Sequence, residues 1–440
     1  MYLCAKLYDI FTNCNMLINF TFGNFRSFKD EKTLNMNATS ITEHKESLIK
    51  IKDYKLVPVS VMYGANSSGK SNVIKAFAFF KRMILNSTET KRDSKLDFDP
   101  FKLDESSLEK CTSFEIEFVA DNTIYRYGFE YTENEIVGEW LFEKSGNKEI
   151  CLFDIEYGEI EIDDKNFAEA KELVNNYLGN KLFLSLVYQN AKRPDKSAKI
   201  ISWLENKLNI ISGINPRGYE SFTLKMLSEK NAGYQNAVKF FKKLDLGFSD
   251  YKIEELSISD IKKMIVEGRN DIKDLNKIFT QMSDNEVIVV TKTGHTVRLK
   301  TGQKEQRFFE EDNMESEGSK KIISLSGPIF DTLNDGGVIV VDELDAKLHP
   351  FLTREIVRLF TNNETNPHGA QLIFATHDTN LLDLSILRRD EIWFTEKNEN
   401  EETDLYSLAE FKTGGDKVRK DASLEKNYIN GRYGAIPYIN

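Results

Sequence analysis

The chain has 440 residues, 40% hydrophobic and 29% charged with 8 prolines, so it is long enough for two or three lobes and too apolar for large-scale disorder. A net charge of −11 excludes a surface coated in positive charge for nucleic acid, though not one local basic groove. Cys4, Cys14, Cys111 and Cys151 lack C-x-x-C spacing, which speaks against a zinc site or a disulfide framework and fits a reducing cytosol. No apolar run reaches the length of a membrane span, and the first fifteen residues lack the order of a signal peptide, so a cytoplasmic protein with no membrane partner is expected.

Met16-Leu17-Ile18-Asn19-Phe20 reads as a first strand, which leaves residues 1–15 as an extension of little structural role and both Met1 and Met16 open as the start. Residues 16–190 then read as strands with one strong helix. Leu56 to Tyr63 reads as a single buried strand running into Gly64-Ala65-Asn66-Ser67-Ser68-Gly69-Lys70-Ser71. That octapeptide fits the phosphate-binding pattern G-x-x-x-x-G-K-[ST] at every fixed position. The two glycines let the backbone close on an anion, and the N–H groups of Asn66, Ser67, Ser68 and their neighbours form the cradle, with Asn72 following. Lys70 would reach the β- and γ-phosphates, and the Ser71 hydroxyl would ligate Mg²⁺. Val73, Phe77, Phe80 and Ile84 fall on one face of a helix over 71–85, whose N-terminus adds the favourable end of its dipole.

Residues 86–110 read as a polar loop. Phe114, Ile116 and Phe118 alternate with polar neighbours, and a turn at Asp121-Asn122 leads into a second strand at 123–131, then strands at 136–143 and 150–163. A helix is expected over 165–178, and Leu182 to Val187 reads as a short buried strand or a helix start. Residues 191–283 read as a helical insertion, with helices at 196–208, 234–244 and 258–266 and no sustained heptad. Strands return at 286–290 and 296–299. These open a C-terminal lobe over 284–440, in which, after an acidic loop around 310–317, the order becomes helix, strand, helix, strand, helix, the parallel α/β arrangement.

Gly337 to Val341 is a buried strand that ends in Asp342-Glu343. After a P-loop this is the Walker B element, with Asp342 in the Mg²⁺ shell and Glu343 polarising the attacking water. Gln371 to Ala375 is a further apolar strand, ending in Thr376-His377. At a strand C-terminus His377 lies where open α/β sheets gather ligands, within reach of a γ-phosphate. Ser316-Glu317-Gly318-Ser319 alone is a weak helix-start signal.

Taken in order, the P-loop, S-x-G-S before a helix, V-V-D-E, L-D-A-K-L-H-P and T-H-D resemble the ABC-type ATPase heads of the SMC, RecF and OLD proteins. Asn24-Phe25-Arg26-Ser27-Phe28 resembles the N-F-[KR]-S-F start of the same group, and Tyr428 to Pro437 resembles the end of RloA/AbiL-type prokaryotic AAA/ABC-like ATPases. The resemblance implies an ATP- and Mg²⁺-dependent ATPase with a P-loop head, a mixed sheet and an antiparallel β subdomain. It also implies a homodimer in which Ser316, Gly318 and Ser319 act as the signature on the other subunit's γ-phosphate and Asp345 as the D-loop residue. Gln189 has two readings, a Q-loop glutamine that senses Mg²⁺ and water or a surface polar residue.

The tail after His377 holds no E…D-x-D arrangement for two metals, so no OLD-type nuclease is expected there. RloA/AbiL-type ATPases stand beside a separate RloB-like effector in anti-phage operons, and that role is the leading expectation. The alternatives are a RecF-like repair ATPase that binds DNA through Lys192, Arg193, Lys196, Lys199 and Arg217, and a nucleotide-gated scaffold with little turnover.

Overall fold

The computed structural model describes residues 14–89, 91, 94–146, 148–212, 217–230, 232–259, 287–413, 416–418 and 422–437. The helix expected at 258–266 lies largely outside these, as do residues 1–13 of the expected extension. The chain forms two compact units, one of Met1–Ile214 with Thr332–Asn440 and one of Asn215–Asp331.

The first unit carries two large sheets. Strands β1 (Met16–Gly23) and β2 (Lys32–Asn35) are followed by the small hairpin β3 (Ile49–Ile51) and β4 (Tyr54–Leu56), then β5 (Val59–Tyr63). Pro58 divides the run expected as one strand. It has no N–H to donate, so Leu56 stays with the antiparallel hairpin while β5 begins at Val59 in the parallel sheet. β6 (Thr112–Ala120), β7 (Thr123–Tyr131), β8 (Ile136–Ser145), β9 (Lys148–Glu156) and β10 (Glu159–Ile162) complete a seven-stranded antiparallel sheet in the order β10-β9-β8-β7-β6-β1-β2. Asp121 and Asn122 take positive φ at the β6–β7 turn, as the sequence leads one to expect. The stretch 165–178 holds a 3₁₀ helix, Ala168–Asn176, and Phe183–Asn190 is a helix rather than a strand.

The second sheet of this unit is built on β11 (Leu208–Ile211), β15 (Val338–Val341), β16 (Gln371–Ala375), β17 (Ile392–Lys397) and β18 (Thr403–Ser407) together with β5, in the order β11-β15-β16-β5-β17-β18. Every neighbour from β11 to β17 is parallel. The P-loop helix Lys70–Leu85 packs its aromatic face on the antiparallel sheet. Phe20 stacks on Phe77 at 3.9 Å between centroids, and Phe80 meets Phe129 at 5.6 Å. Val73, Phe77, Phe80 and Ile84 are fully buried, as their spacing predicts. Gln371 joins the two sheets: its side-chain amide accepts from Leu17 N at 2.7 Å and donates to Leu17 O at 3.0 Å. A buried amide with these partners carries no desolvation penalty for unpaired groups.

The division between units differs from the expected insertion at 191–283. The helix Lys196–Asn206 and strand β11 belong to the first unit, because β11 pairs with β15 and the helix buries Trp203 against Phe118, with centroids 4.3 Å apart. Nor is the second unit purely helical. It contains the helices Arg217–Glu229 and Ala232–Leu244, and an antiparallel sheet of β12 (Asp250–Ser257), β13 (Val287–Arg298) and β14 (Lys304–Glu310) in the order β12-β13-β14. β13 runs unbroken through the two short strands expected at 286–290 and 296–299, since Gly294 continues the ladder opposite Asp250 and Phe308. Among the described residues no helix is long and apolar enough to cross a membrane.

Candidate functional site

The C-terminal ends of the parallel strands bring the sequence motifs together. Beyond β5 the chain turns sharply, with Ser67 at φ 64 and Gly69 at φ 114. A Cβ on Gly64 would lie 2.4 Å from Ser68 Oγ and 2.5 Å from the Thr395 carbonyl. One on Gly69 would lie 2.6 Å from the Thr403 methyl. Both positions therefore exclude any side chain. Gly69 caps the P-loop helix without a side-chain bond, and its carbonyl takes the Asn72 N–H at 2.9 Å, which leaves the Lys70 and Ser71 N–H groups to face an anion.

Lys70 is 7% exposed and donates to the carbonyls of Gly64 at 2.8 Å and Ala65 at 3.1 Å. Burial pulls its ammonium down to about 8, against the opposing pull of Asp342, Asp345 and Glu343. Ser71 Oγ donates to Asp342 Oδ1 at 3.1 Å, which fixes Asp342 at the end of β15. Glu343 follows with φ 52, a left-handed conformation that a non-glycine residue adopts at a cost and that clusters at functional positions.

β16 lies between β5 and β15, so its end places His377 between the P-loop and the two carboxylates. The His377 N–H donates to Asp345 Oδ2 at 3.3 Å, and Tyr63 donates to the Asp378 carbonyl at 3.1 Å. Burial holds the His377 imidazole below its ordinary value, with Lys70 adding to the effect and the three acids opposing it.

Asn66, Ser67, Ser68, Gly69, Lys70, Ser71, Asn72, Asp342, Glu343 and His377 line one cleft of ≈ 480 Å³. The paired oxygens of Ser71 and Asp342 fit Mg²⁺, which takes one or two protein oxygens and fills its octahedron with phosphate and water.

Ser27, Lys75, Thr376 and Lys397 also line the cleft, and sequence reasoning assigned them no role there. Ser27 sits in the Asn24–Phe28 motif, where Phe25 and Phe28 are core residues. Asn24 is buried and bonds the carbonyls of Ser107 and Lys110 and the N–H of Phe101. Ser27 Oγ accepts from Asn72 Nδ2 and pairs with Thr403 Oγ1, both at 2.8 Å. Thr403 also donates to the Ser68 carbonyl at 3.0 Å, and Ser68 Oγ lies 2.6 Å from Thr395 Oγ1. These threonines come from β17 and β18, more than 300 residues beyond the loop they brace, so no local pattern marks them.

Gln189 is not brought to the cleft. It is an exposed residue in the last turn of Phe183–Asn190, a helix that buries Phe183, Leu184, Ser185 and Val187 and turns its final residues outward. The buried Glu139 fixes that orientation. It accepts from the Phe183 and Leu184 N–H groups at 2.5 and 2.9 Å, and burial pushes its carboxyl up to about 7.

Ser316, Gly318 and Ser319 lie in the second unit, at the start of the helix Glu317–Asp335. Ser316 Oγ accepts from Ser319 N at 3.1 Å, so Ser316 caps that helix. A larger cavity of ≈ 860 Å³ lies between residues 165–173 and 190–196. Its Glu169 bonds the Ser197 N–H, its Glu172 pairs with Lys192 and its Asp195 with Lys199, so no reactive set converges there.

A family model described as "AAA domain, putative AbiEii toxin, Type IV TA system" matches residues 59–195 and 199–383. No curated protein matches the sequence. Among solved structures, an Smc head bound to the C-winged helix domain of ScpA shares 12% identity, covering 89% of this chain and 97% of that one with a TM-score of 0.41. The SMC head domain from Thermotoga maritima shares 13%, with 89% and 98% covered and a TM-score of 0.39. An Smc head domain with an extended coiled coil, bound to the C-terminal domain of ScpA and derived from Pyrococcus furiosus, shares 12%, with 90% and 96% covered and a TM-score of 0.33.

Proposed function

The chain belongs to this AAA-domain family, whose model spans most of it, and from that premise we propose that it binds Mg²⁺·ATP and hydrolyses it. The observation that carries the reading is the convergence of Lys70, Ser71, Asp342, Glu343 and His377 on one cleft. Lys70 exchanges its two loop carbonyls for the β- and γ-phosphate oxygens. Ser71 and Asp342 would hold Mg²⁺, which would supply positive charge to the phosphate oxygens. Glu343 orients the attacking water and takes its proton. His377, whose cation burial disfavours, hydrogen-bonds the γ-phosphate or the water.

Ser316, Gly318 and Ser319 complete the site of a second subunit, and Asp345 lies at that interface, so the active species is a homodimer. We assign the chain to anti-phage defence as the sensor and motor subunit that controls a separate RloB-like effector. The family's toxin–antitoxin description supports that setting.

The DNA-repair alternative is weaker. Lys196 is held in a half-buried pair with Glu143, which spends its charge, while the pairs of Lys192 with Glu172 and of Lys199 with Asp195 are exposed and hold their lysines only weakly. Arg193 makes no ion pair among the described residues, and the Arg217 side chain lies outside them. Phage plating on cells that carry the whole operon tests the defence reading. Protection is expected to be lost with Lys70→Ala and with Glu343→Gln, and undiminished protection by both variants would sink it.

A further inference from the structure

We propose that Lys75 and Lys397 form the nucleoside-side wall of the cleft and hold the α-phosphate, a contact that ATP and ADP share. The inference rests on the ATPase reading and adds the direction in which the nucleotide lies. In the sheet order β11-β15-β16-β5-β17-β18, the carboxylates and His377 stand at the ends of β15 and β16, on one side of β5. The γ-phosphate must lie on that side, within reach of Glu343. A β-phosphate seated in the loop after β5 then sends the rest of the nucleotide the other way, toward the end of β17. Lys397 is the last residue of β17, and Lys75 lies one helical turn beyond Ser71 on the P-loop helix; both line the cleft.

Charge along the cleft follows the same direction. Its two lining carboxylates, Asp342 and Glu343, both follow β15, and no lining acid stands at the β17 end. Mg²⁺ held by Ser71 and Asp342 would offset the acids at that end, which leaves the α-phosphate to protein cations. Lys75 makes no ion pair among the described residues. Lys397 meets Glu401 at 3.2 Å, a carboxylate whose side chain is 66% exposed and so competes weakly.

The hairpin that carries Lys397 is fixed in place. Asn398 Oδ1 accepts from the N–H groups of Asn400 at 2.9 Å and Glu402 at 3.0 Å, and Lys29 holds Glu402 at 2.8 Å. Thr403, at the hairpin's far side, grips the Ser68 carbonyl. Lys397 is thus held against the P-loop rather than carried on a free loop.

Calorimetric titration of the full chain with ATP and with ADP, each with Mg²⁺, tests the proposal. Lys397→Met and Lys75→Met are each expected to weaken both nucleotides by the same factor of about ten, the size of one lost charge-assisted hydrogen bond. Lys397→Arg is expected to restore most of the loss. Unchanged affinity in both Met variants would overturn the proposal, and so would a loss confined to ATP, which would put the lysines on the γ-phosphate. Lys75 is exposed on a helix surface, so its variant keeps the test decisive if Lys397→Met fails to fold. A wild-type chain that binds neither nucleotide would overturn the ATPase reading itself, together with this one.

Discussion

Lys70 is nearly buried, and its ammonium rests on two backbone carbonyls rather than on a carboxylate. Those dipoles replace water incompletely, so the group titrates near 8 instead of in the ordinary lysine range. Phosphate oxygens favour the ammonium, so the nucleotide-bound chain keeps its proton to higher pH than the free chain. Below about 8 both states are protonated, and affinity for ATP is flat with pH on this account. Above it binding must take up a proton, and affinity falls as pH rises. Calorimetry at pH 9 in buffers of different ionisation enthalpy should register that uptake, and at pH 7 should register almost none. Equal heats at pH 9 in every buffer would show that Lys70 does not titrate there. The fixed positions of the P-loop and the acids after β15 were legible as residues, because short-range spacing alone defines them. Ser27, Thr395 and Thr403 were not, because their roles arise from contacts across hundreds of residues.

At the scale of elements, the helix Glu317–Asp335 shows how sequence rules are met by distant partners. Pro328 lies inside it and cannot donate to the Ser324 carbonyl one turn earlier. Thr223, on the helix Arg217–Glu229, donates its hydroxyl to that carbonyl and accepts from Gly327 N at 3.1 Å. Gly327 permits the approach, since a Cβ there would lie 2.3 Å from Thr223 Oγ1. Thr223→Val keeps the shape of the side chain and leaves a buried carbonyl and a buried N–H without this partner. It is expected to cost about 1–3 kcal/mol, measured by chemical denaturation. A loss below about 0.5 kcal/mol would mean that the helix satisfies itself. Strand and helix existence was legible wherever apolar period and turn residues agreed, as at β6, β7 and the P-loop helix. The expected strand from Leu56 failed at one residue, Pro58, and the two readings of Gln189 stayed open because its motif gives no sign of which way the helix Phe183–Asn190 faces. That orientation is set by Glu139, a residue far from it in sequence.

For the whole molecule, β11 explains why the insertion could not be bounded from sequence. Four residues embedded in a charged, helix-rich stretch pair with β15 and so draw 196–211 into the first unit. The motifs are likewise divided, with the P-loop, Asp342, Glu343, Asp345 and His377 in one unit and Ser316, Gly318 and Ser319 in the other. A homodimer that shares its sites would make hydrolysis depend on Glu343 within one chain and on the second chain for completion. The most direct test is single-turnover hydrolysis of ATP by the wild-type chain and Glu343→Gln, with ATP binding measured on the same samples at low and high protein concentration. The wild type is expected to hydrolyse ATP faster per chain at high concentration, and Glu343→Gln to bind ATP about as tightly while hydrolysing it roughly 10²–10⁴-fold more slowly. Equal rates for the two proteins, or a wild-type chain that binds no ATP, would contradict the account.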